Sequence, residues 1–197
     1  MSKEEQRPER VFAFIDSQNL NVSTQKFGWK MDWQKFRQFL ADKYGVSKAF
    51  MFIGYIPENE SLYEQMHDAG YAVVLKPTFD MTKPRPEDLE EADASGAKNK
   101  GAKNAKPEDK KPVKGNIDAE LVLWAMKEMS NYDKAIIVSG DGDFFCLVEY
   151  LESKNRLLHL LTPSSHYSGL YNRYDEYVQR LDEFKRELRY HDFRRKK

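Results

Sequence analysis

The sequence predicts an α/β fold built around a parallel sheet. Short, continuous apolar runs alternate along the chain with segments whose apolar residues recur at helical spacing. Several of the apolar runs end at an aspartate, a proline or a glycine-containing turn. Strands that alternate with helices favour parallel pairing with right-handed crossovers. With 197 residues, the chain is long enough to bury one sizeable core.

The first half of the chain supplies three predicted strands and two predicted helices. Residues 11–15 form the first apolar run, and residues 48–56 and 71–75 form the next two. A helix over residues 32–44 is predicted because Asp32 is a suitable N-cap and Gly45 a suitable stop. A shorter helix is predicted over residues 60–69.

The second half predicts two more strands, over residues 134–139 and 156–161. Helices are expected at residues 118–129 and 143–153, between and before these strands. A final helix is predicted over residues 175–197, because Tyr177, Leu181, Phe184 and Leu188 would share one face. This helix ends in a basic tail that suits phosphate contacts or a solvated helix end equally well.

Composition limits the functional classes. The 32 basic and 32 acidic residues balance, so any attraction to nucleic acid must come from local patches. The single cysteine, Cys146, excludes an intramolecular disulfide and suits a reducing compartment; its apolar neighbours predict a small core residue. Residues 1–10 do not resemble a signal peptide, and no apolar run approaches the ~20 residues of a membrane helix. A cytoplasmic protein without membrane contact is therefore expected.

Residues 83–113 interrupt the predicted sheet. They are rich in Lys, Glu, Asp, Ala, Asn and Pro, first acidic and then basic, and have almost no large apolar residue. Such a segment buries too little surface to offset its ordering entropy, so a disordered insertion is expected. An RNA-contacting loop is the alternative.

Four aspartates stand out by position: Asp16, Asp118, Asp141 and Asp143. Each has an ordinary structural explanation as a turn former or a helix cap. The carboxyl ends of parallel strands, however, meet at one edge of a sheet, where ligands bind. Carboxylates gathered there raise one another's pKa unless a cation joins them. Together, they indicate a divalent metal site.

Other acidic or nucleotide-binding motifs do not fit. The sequence around Asp141 lacks the remaining ligands of an EF-hand. Neither G-x-G-x-x-G nor a P-loop follows a predicted strand. A haloacid dehalogenase-type phosphohydrolase would need a second aspartate at position 18, where the chain has Gln18.

Three motifs carry a resemblance to a known family. FIDSQNL at residues 14–20, KGNID at 114–118 and SGDGDF at 139–144 resemble the signatures of the NYN domain, in the LabA-like branch of the PIN-like nuclease superfamily. The resemblance implies a Rossmann-like, three-layer PIN-like fold. Its sheet would have about five strands in the order 3-2-1-4-5, with helices on both faces. The domain would span residues 10–163, followed by a helical extension over 164–197.

The resemblance also implies a Mg²⁺- or Mn²⁺-dependent ribonuclease with RNA as its partner. The aspartates at the family's acidic positions would bind the metal and carry catalysis, and two polar residues would support them. These residues are Asp16, Asp118, Asp141 and Asp143, with Asn19 and Ser139.

One departure from the family pattern concerns the second metal. Many relatives carry a further aspartate six positions after the equivalent of Asp118, where this chain has Trp124. Glu120 would point about 200° away along the helix and does not replace it. A catalytically weak, RNA-binding or regulatory module is therefore the alternative function. The oligomeric state is open, with a homodimer as one option.

Three basic residues are predicted to contact RNA: Lys114, Arg194 and Arg195.

Overall fold

The centre of the molecule is a six-stranded, fully parallel sheet in the order β3-β2-β1-β4-β5-β6. The computed structural model describes residues 7–77 and 117–191. The strands are β1 (Val11–Asp16), β2 (Val46–Tyr55), β3 (Tyr71–Pro77), β4 (Lys134–Val138), β5 (Leu157–Thr162) and β6 (Val178–Arg180).

Helices connect these strands. They are α1 (Ser17–Lys26), α2 (Trp33–Tyr44), α3 (Glu60–Asp68), α4 (Asp118–Lys127), α5 (Phe145–Ser153) and α6 (Lys185–Leu188). Short 3₁₀ segments cover Pro57–Asn59, Gly142–Phe144, Gly169–Tyr177 and Leu181–Phe184. Helix α2 has the predicted ends, because the Asp32 carboxylate accepts a hydrogen bond from the Lys35 N–H and Gly45 adopts a left-handed φ of 65°.

Each face of the sheet has its own apolar core. Alternate residues of β1 point in opposite directions, so Ala13 and Ile15 join one core and Phe12 and Phe14 join the other. Helix α2 packs on the first face through Phe36 and Leu40. The predicted parallel α/β architecture with helices on both faces is thus confirmed, as is the order of its first five strands.

The C-terminal region differs from the prediction. Instead of one long helix, the described residues from 169 onward form a 3₁₀ segment, strand β6, a second 3₁₀ segment and the short α6. Strand β6 pairs with β5 and adds a sixth strand to the expected five. Leu181 is buried from a 3₁₀ segment and Leu188 from α6, so their burial does not require the single long helix that their spacing predicted.

The structure bears on three further expectations from the sequence, with a different outcome for each. Cys146 is exposed, so its prediction as a core residue is wrong. The insertion over residues 83–113 and the basic residues Lys114, Arg194 and Arg195 lie outside the described ranges. Among the helices that the structure describes, none has the length and apolar character needed to cross a membrane.

Asp133 links the N-terminal segment to the start of β4. Its carboxylate accepts hydrogen bonds from the Arg10 backbone N–H at 2.9 Å, the Arg10 guanidinium at 3.2 Å and the Arg7 guanidinium at 3.0 Å. The hydrogen bonds from Arg10 lower the pKa of Asp133 from its ordinary value of 3.8 to about 2.

We expect Asp133→Asn to destabilise the fold at neutral pH and to lose this effect in acid. Because the folded pKa is depressed, the carboxylate stabilises the fold above pH 3.8, and this contribution is lost as the pH falls toward about 2. Urea unfolding of the wild type, Asp133→Asn and the control Asp68→Asn, between pH 7 and about pH 3, measures the difference. A gap between wild type and Asp133→Asn that is equal at both ends of this range would contradict the assignment.

Candidate active site

Asp16 stands at the carboxyl end of the central strand β1, and its side chain is buried. Its Oδ1 accepts a hydrogen bond from the Asn19 backbone N–H at 3.0 Å, which caps α1. Its Oδ2 accepts one from the Ser139 hydroxyl at 3.1 Å. Two donors on different elements therefore fix the orientation of this carboxylate.

Hydrogen bonds also hold the turn after β4 close to Asp16. Asn19 accepts a hydrogen bond from the Gly140 N–H at 2.9 Å through its side-chain oxygen. Ser139 Oγ accepts one from the Asp141 N–H at 3.1 Å. Asn19 and Ser139 thus hold the turn against β1, the supporting position that the sequence predicted for them.

The two aspartates of this turn have different surroundings. Asp141 Oδ1 accepts a hydrogen bond from the Asp143 N–H at 3.1 Å, so Asp141 caps the short Gly142–Phe144 segment. The alternative explanation of Asp143 as a helix cap does not hold, because Asp141 caps this segment and Asp143 lies inside it. Asp143 is exposed at the pocket, with its N–H committed to the turn.

All four predicted aspartates line one pocket of about 300 Å³, which we call the acidic pocket. Asp118 reaches it from the first residue of α4. The other lining residues come mainly from α1, of which the sequence predicted Asn19 but not Gln18, Val22 or Ser23. The full set is Asp16, Gln18, Asn19, Val22, Ser23, Ile117, Asp118, Asp141 and Asp143.

The acidic pocket opposes ionisation of its most buried carboxyl. Burial raises the pKa of Asp16 above 3.8, and the charges of Asp118 and Asp141 raise it further. The hydrogen bonds from Asn19 and Ser139 act in the opposite direction and are the smaller effect. A group with a raised folded pKa stabilises the fold below its unfolded pKa and loses that contribution as the pH rises through the folded value. At neutral pH the pocket therefore carries repulsion that a cation would relieve.

The donor atoms fit a hard divalent cation. They are carboxylate oxygens, which Mg²⁺ and Mn²⁺ prefer. Within the described ranges, no three His, Cys, Asp or Glu side chains are already arranged as a metal-binding group. Mg²⁺ does not require such a cage, because it usually keeps several waters and binds one or two carboxylates together with substrate phosphates.

Trp124, which stands where many relatives of the resembled family carry an aspartate, packs against the core. The Trp124 ring is half-buried and packs 5.5 Å from the Phe50 ring, between centroids. Glu120 forms an ion pair with Lys76 at 2.9 Å and does not line the acidic pocket. Neither residue supplies the missing carboxylate.

A loop after β5 covers the other side of the turn. The Ser168 N–H donates to the Gly140 carbonyl at 2.9 Å, and the buried Tyr171 hydroxyl donates to the Asp141 carbonyl. Burial, followed by the charges of Asp141, Asp143 and Asp16, raises the pKa of Tyr171, which keeps its hydroxyl protonated as a donor.

A larger opening of about 800 Å³, which we call the second cavity, lies between this loop and the turn. Its lining residues are Asn19, Gly140, Asp141, Gly142, Asp143, Ser165, His166, Tyr167, Ser168 and Leu170. Three tyrosines, Tyr167, Tyr171 and Tyr174, follow β5, and of these Tyr167 lines the second cavity. The other two, Tyr171 and Tyr174, are buried.

Comparison with known proteins agrees with this geometry. The sequence model of the NYN domain family matches residues 10–182. The chain belongs to the NYN domain family. The match covers the sheet from β1 to β6 and all four aspartates of the acidic pocket.

Two individual proteins resemble this NYN chain. Low amplitude and bright protein LabA from Synechococcus elongatus is 24% identical over 181 residues, covering 89% of this chain and 86% of that protein. A crystal structure of a protein of unknown function from Vibrio parahaemolyticus matches with a TM-score of 0.69 and 19% identity. That match covers 95% of this chain and 100% of the other. This second likeness supports the fold alone.

We expect Gly142→Ala to disturb the acidic turn. A Cβ at this position would lie 2.5 Å from Ser168 Oγ and 3.2 Å from Leu170 Cδ1. The loop after β5 must then shift, at a cost of about 1–3 kcal/mol in unfolding free energy. Urea denaturation measures this cost.

Gly169→Ala is the matched control in the same loop, because its added Cβ would come no closer than 4.0 Å to another group. The control should change stability by no more than about 0.5 kcal/mol. Equal stability of the two variants would show that the loop does not pack against the turn as described.

Proposed function

We propose that this NYN protein is a divalent-metal-dependent ribonuclease that hydrolyses RNA phosphodiester bonds at the acidic pocket. The supporting observation is that Asp16, Asp118, Asp141 and Asp143, from three separate parts of the chain, line one pocket at the carboxyl edge of the sheet. Membership of the family adds support, because NYN domains belong to the PIN-like nuclease superfamily.

The proposal assigns a role to each side chain. Asp16 and Asp141 would bind the ion, and Asp118 and Asp143 would bind a second ion or orient the attacking water. When bound, Mg²⁺ or Mn²⁺ supplies Lewis-acid stabilisation of the phosphoryl oxygens and lowers the pKa of a water ligand. Ser139 would keep the Asp16 carboxylate in one orientation through its 3.1 Å hydrogen bond.

The four carboxylates also explain why cleavage would depend on a cation. A phosphodiester carries a negative charge, and a pocket lined by four carboxylates, in which burial and then the charges of Asp118 and Asp141 raise the pKa of Asp16, would repel it. Neutralisation of the pocket is therefore required before a phosphate can approach. Without metal, neither binding of the scissile phosphate nor cleavage is expected.

A second candidate is an RNA-binding or regulatory module with little catalytic activity. Two observations favour it: the described residues contain no ready-made group of three metal ligands, and Trp124 occupies the position of a family aspartate. This candidate keeps the fold and RNA contact but predicts no cleavage.

RNA cleavage by the purified protein tests the proposal. Single-stranded and structured RNA are each incubated with wild-type protein in Mg²⁺, in Mn²⁺ and in EDTA. We expect metal-dependent cleavage that falls by about 100-fold or more in Asp16→Asn and Asp141→Asn, because each removes transition-state charge stabilisation. Ser139→Ala should lose about 10- to 100-fold as a supporting residue.

Asp68→Asn is the control for the loss of a carboxylate outside the acidic pocket and should cleave like the wild type. Cleavage that persists equally in Asp16→Asn would refute the proposed site. RNA binding by the wild type without cleavage in any metal would favour the second candidate.

A further inference from the structure

Two segments without Asp, Glu, Lys or Arg border the acidic pocket. They are residues 17–25 and 163–172, in a chain of which these four residue types make up 32%. Both segments are rich in hydroxyl and amide side chains, and the second also carries His166, Tyr167 and Tyr171. Of these three, His166 is exposed, Tyr167 is half-buried and Tyr171 is buried. Depletion of charge around accessible aromatic residues is typical of a contact surface rather than of a solvated face.

Half of the residues that line the second cavity belong to the 163–172 segment, and the second cavity shares part of its wall with the acidic pocket. Asn19, Asp141 and Asp143 line both openings. The second cavity is a wide, shallow opening of about 800 Å³. A nucleotide next to a phosphate at the acidic pocket would therefore lie close to the second cavity.

Hydrogen bonds give this wall a fixed shape. Ser164 Oγ accepts from the His166 N–H at 3.2 Å, and the Ser168 N–H donates to Gly140 across the cavity floor at 2.9 Å. The Tyr171 N–H donates to the Ser168 carbonyl at 3.0 Å. A wall held in this way loses little entropy when a ligand binds.

Apolar and aromatic groups are exposed along this wall. Leu170 lines the second cavity and remains 53% exposed. His166 is exposed and contacts the Phe27 ring, with 5.2 Å between centroids and 41° between planes. A single exposed apolar residue is ordinary, but Phe27, His166, Tyr167 and Leu170 gather beside the proposed catalytic carboxylates.

The acidic side chains that line the second cavity favour the uncharged parts of RNA over its phosphates. Among the residues that the structure describes, the lining of the second cavity includes two aspartates, Asp141 and Asp143, and no Lys or Arg. A phosphate at this position would meet repulsion from both carboxylates unless an ion at the acidic pocket neutralises them, and no lining side chain that the structure describes supplies a positive charge. The uncharged base and ribose face no such penalty, and bases stack on aromatic side chains whatever their sequence.

We propose that the second cavity is a nucleobase subsite for the nucleotide next to the scissile phosphate, with His166, Tyr167 and Leu170 contacting the base. The proposal rests on the proposed function, which places that phosphate at the acidic pocket. Because its contacts are stacking and apolar contacts, the subsite favours single-stranded RNA, whose bases are free to leave the stack.

Saturation-transfer NMR with adenosine tests the subsite without any cleavable bond. Wild-type protein should transfer saturation to the adenine protons, whereas ribose 5-phosphate should receive none. His166→Ala and Leu170→Ala should each weaken adenosine binding about fivefold or more, the effect expected from losing a base-contacting side chain. Leu123→Ala is the control, because Leu123 is exposed to a similar degree as Leu170, 57% against 53%, and lines neither opening.

Kinetics provide a second readout that separates this proposal from the proposed function. If the wild type cleaves single-stranded RNA, His166→Ala and Leu170→Ala should raise KM and leave kcat close to the wild-type value. Unchanged KM and unchanged adenosine binding in both variants would overturn the subsite while leaving the ribonuclease intact.

Two further outcomes are decisive. Adenosine binding that these variants weaken, in a protein that cleaves no RNA, would support the subsite and refute the proposed function. No transfer from the wild type to millimolar adenosine would overturn the subsite, whatever the outcome of the cleavage assay.

Discussion

The parallel register between β1 and β4 places Ile15 opposite Val138, so the next residue of each strand, Asp16 and Ser139, leaves the sheet side by side. The Ser139 hydroxyl then reaches the Asp16 carboxylate, and the Ser139 oxygen in turn receives the Asp141 N–H. A slip of one residue would turn every side chain of the strand to the opposite face. It would separate Asp16 from Ser139 and would turn Phe14 and Ile15 each toward the core on the opposite face of the sheet. The packing of both apolar cores therefore fixes the register on which the acidic pocket depends.

The same arrangement concentrates negative charge where burial already opposes it. Asp16 is almost completely buried, and Asp118 and Asp141 act on it from two other elements. Stability alone would not favour such a group, since each carboxylate would be less costly in water. A buried charged group that brings no structural benefit commonly marks a functional site. A cation bound between the carboxylates would offset their mutual repulsion, because each carboxylate would be attracted to the cation.

The four aspartates could be predicted from the sequence because strand ends in a parallel sheet converge, whatever the details of the intervening turns. The capping role of Asp141 could not be predicted from the sequence. It depends on which of two nearby carboxylates, Asp141 or Asp143, faces one N–H group. Strand β6 was missed for a related reason. Its three residues carry no strand pattern of their own, and only pairing with β5 makes them a strand. Helix α1 was missed because its sequence is mostly Ser, Gln, Asn and Thr, which favour turns as readily as helices.

The central claim is that Asp16 and its neighbouring carboxylates bind a divalent cation, and thermal unfolding with and without Mn²⁺ tests it most directly. For the wild type, Mn²⁺ at about ten times its Kd should stabilise the fold by ~1.4 kcal/mol and raise Tm by a few degrees. Asp16→Asn keeps an acceptor for the Asn19 N–H and removes the buried charge, so its Tm without metal should equal or exceed that of the wild type. Its Tm should not respond to Mn²⁺. A wild-type Tm that stays constant through millimolar Mn²⁺, or one that rises equally in Asp16→Asn, would contradict the account.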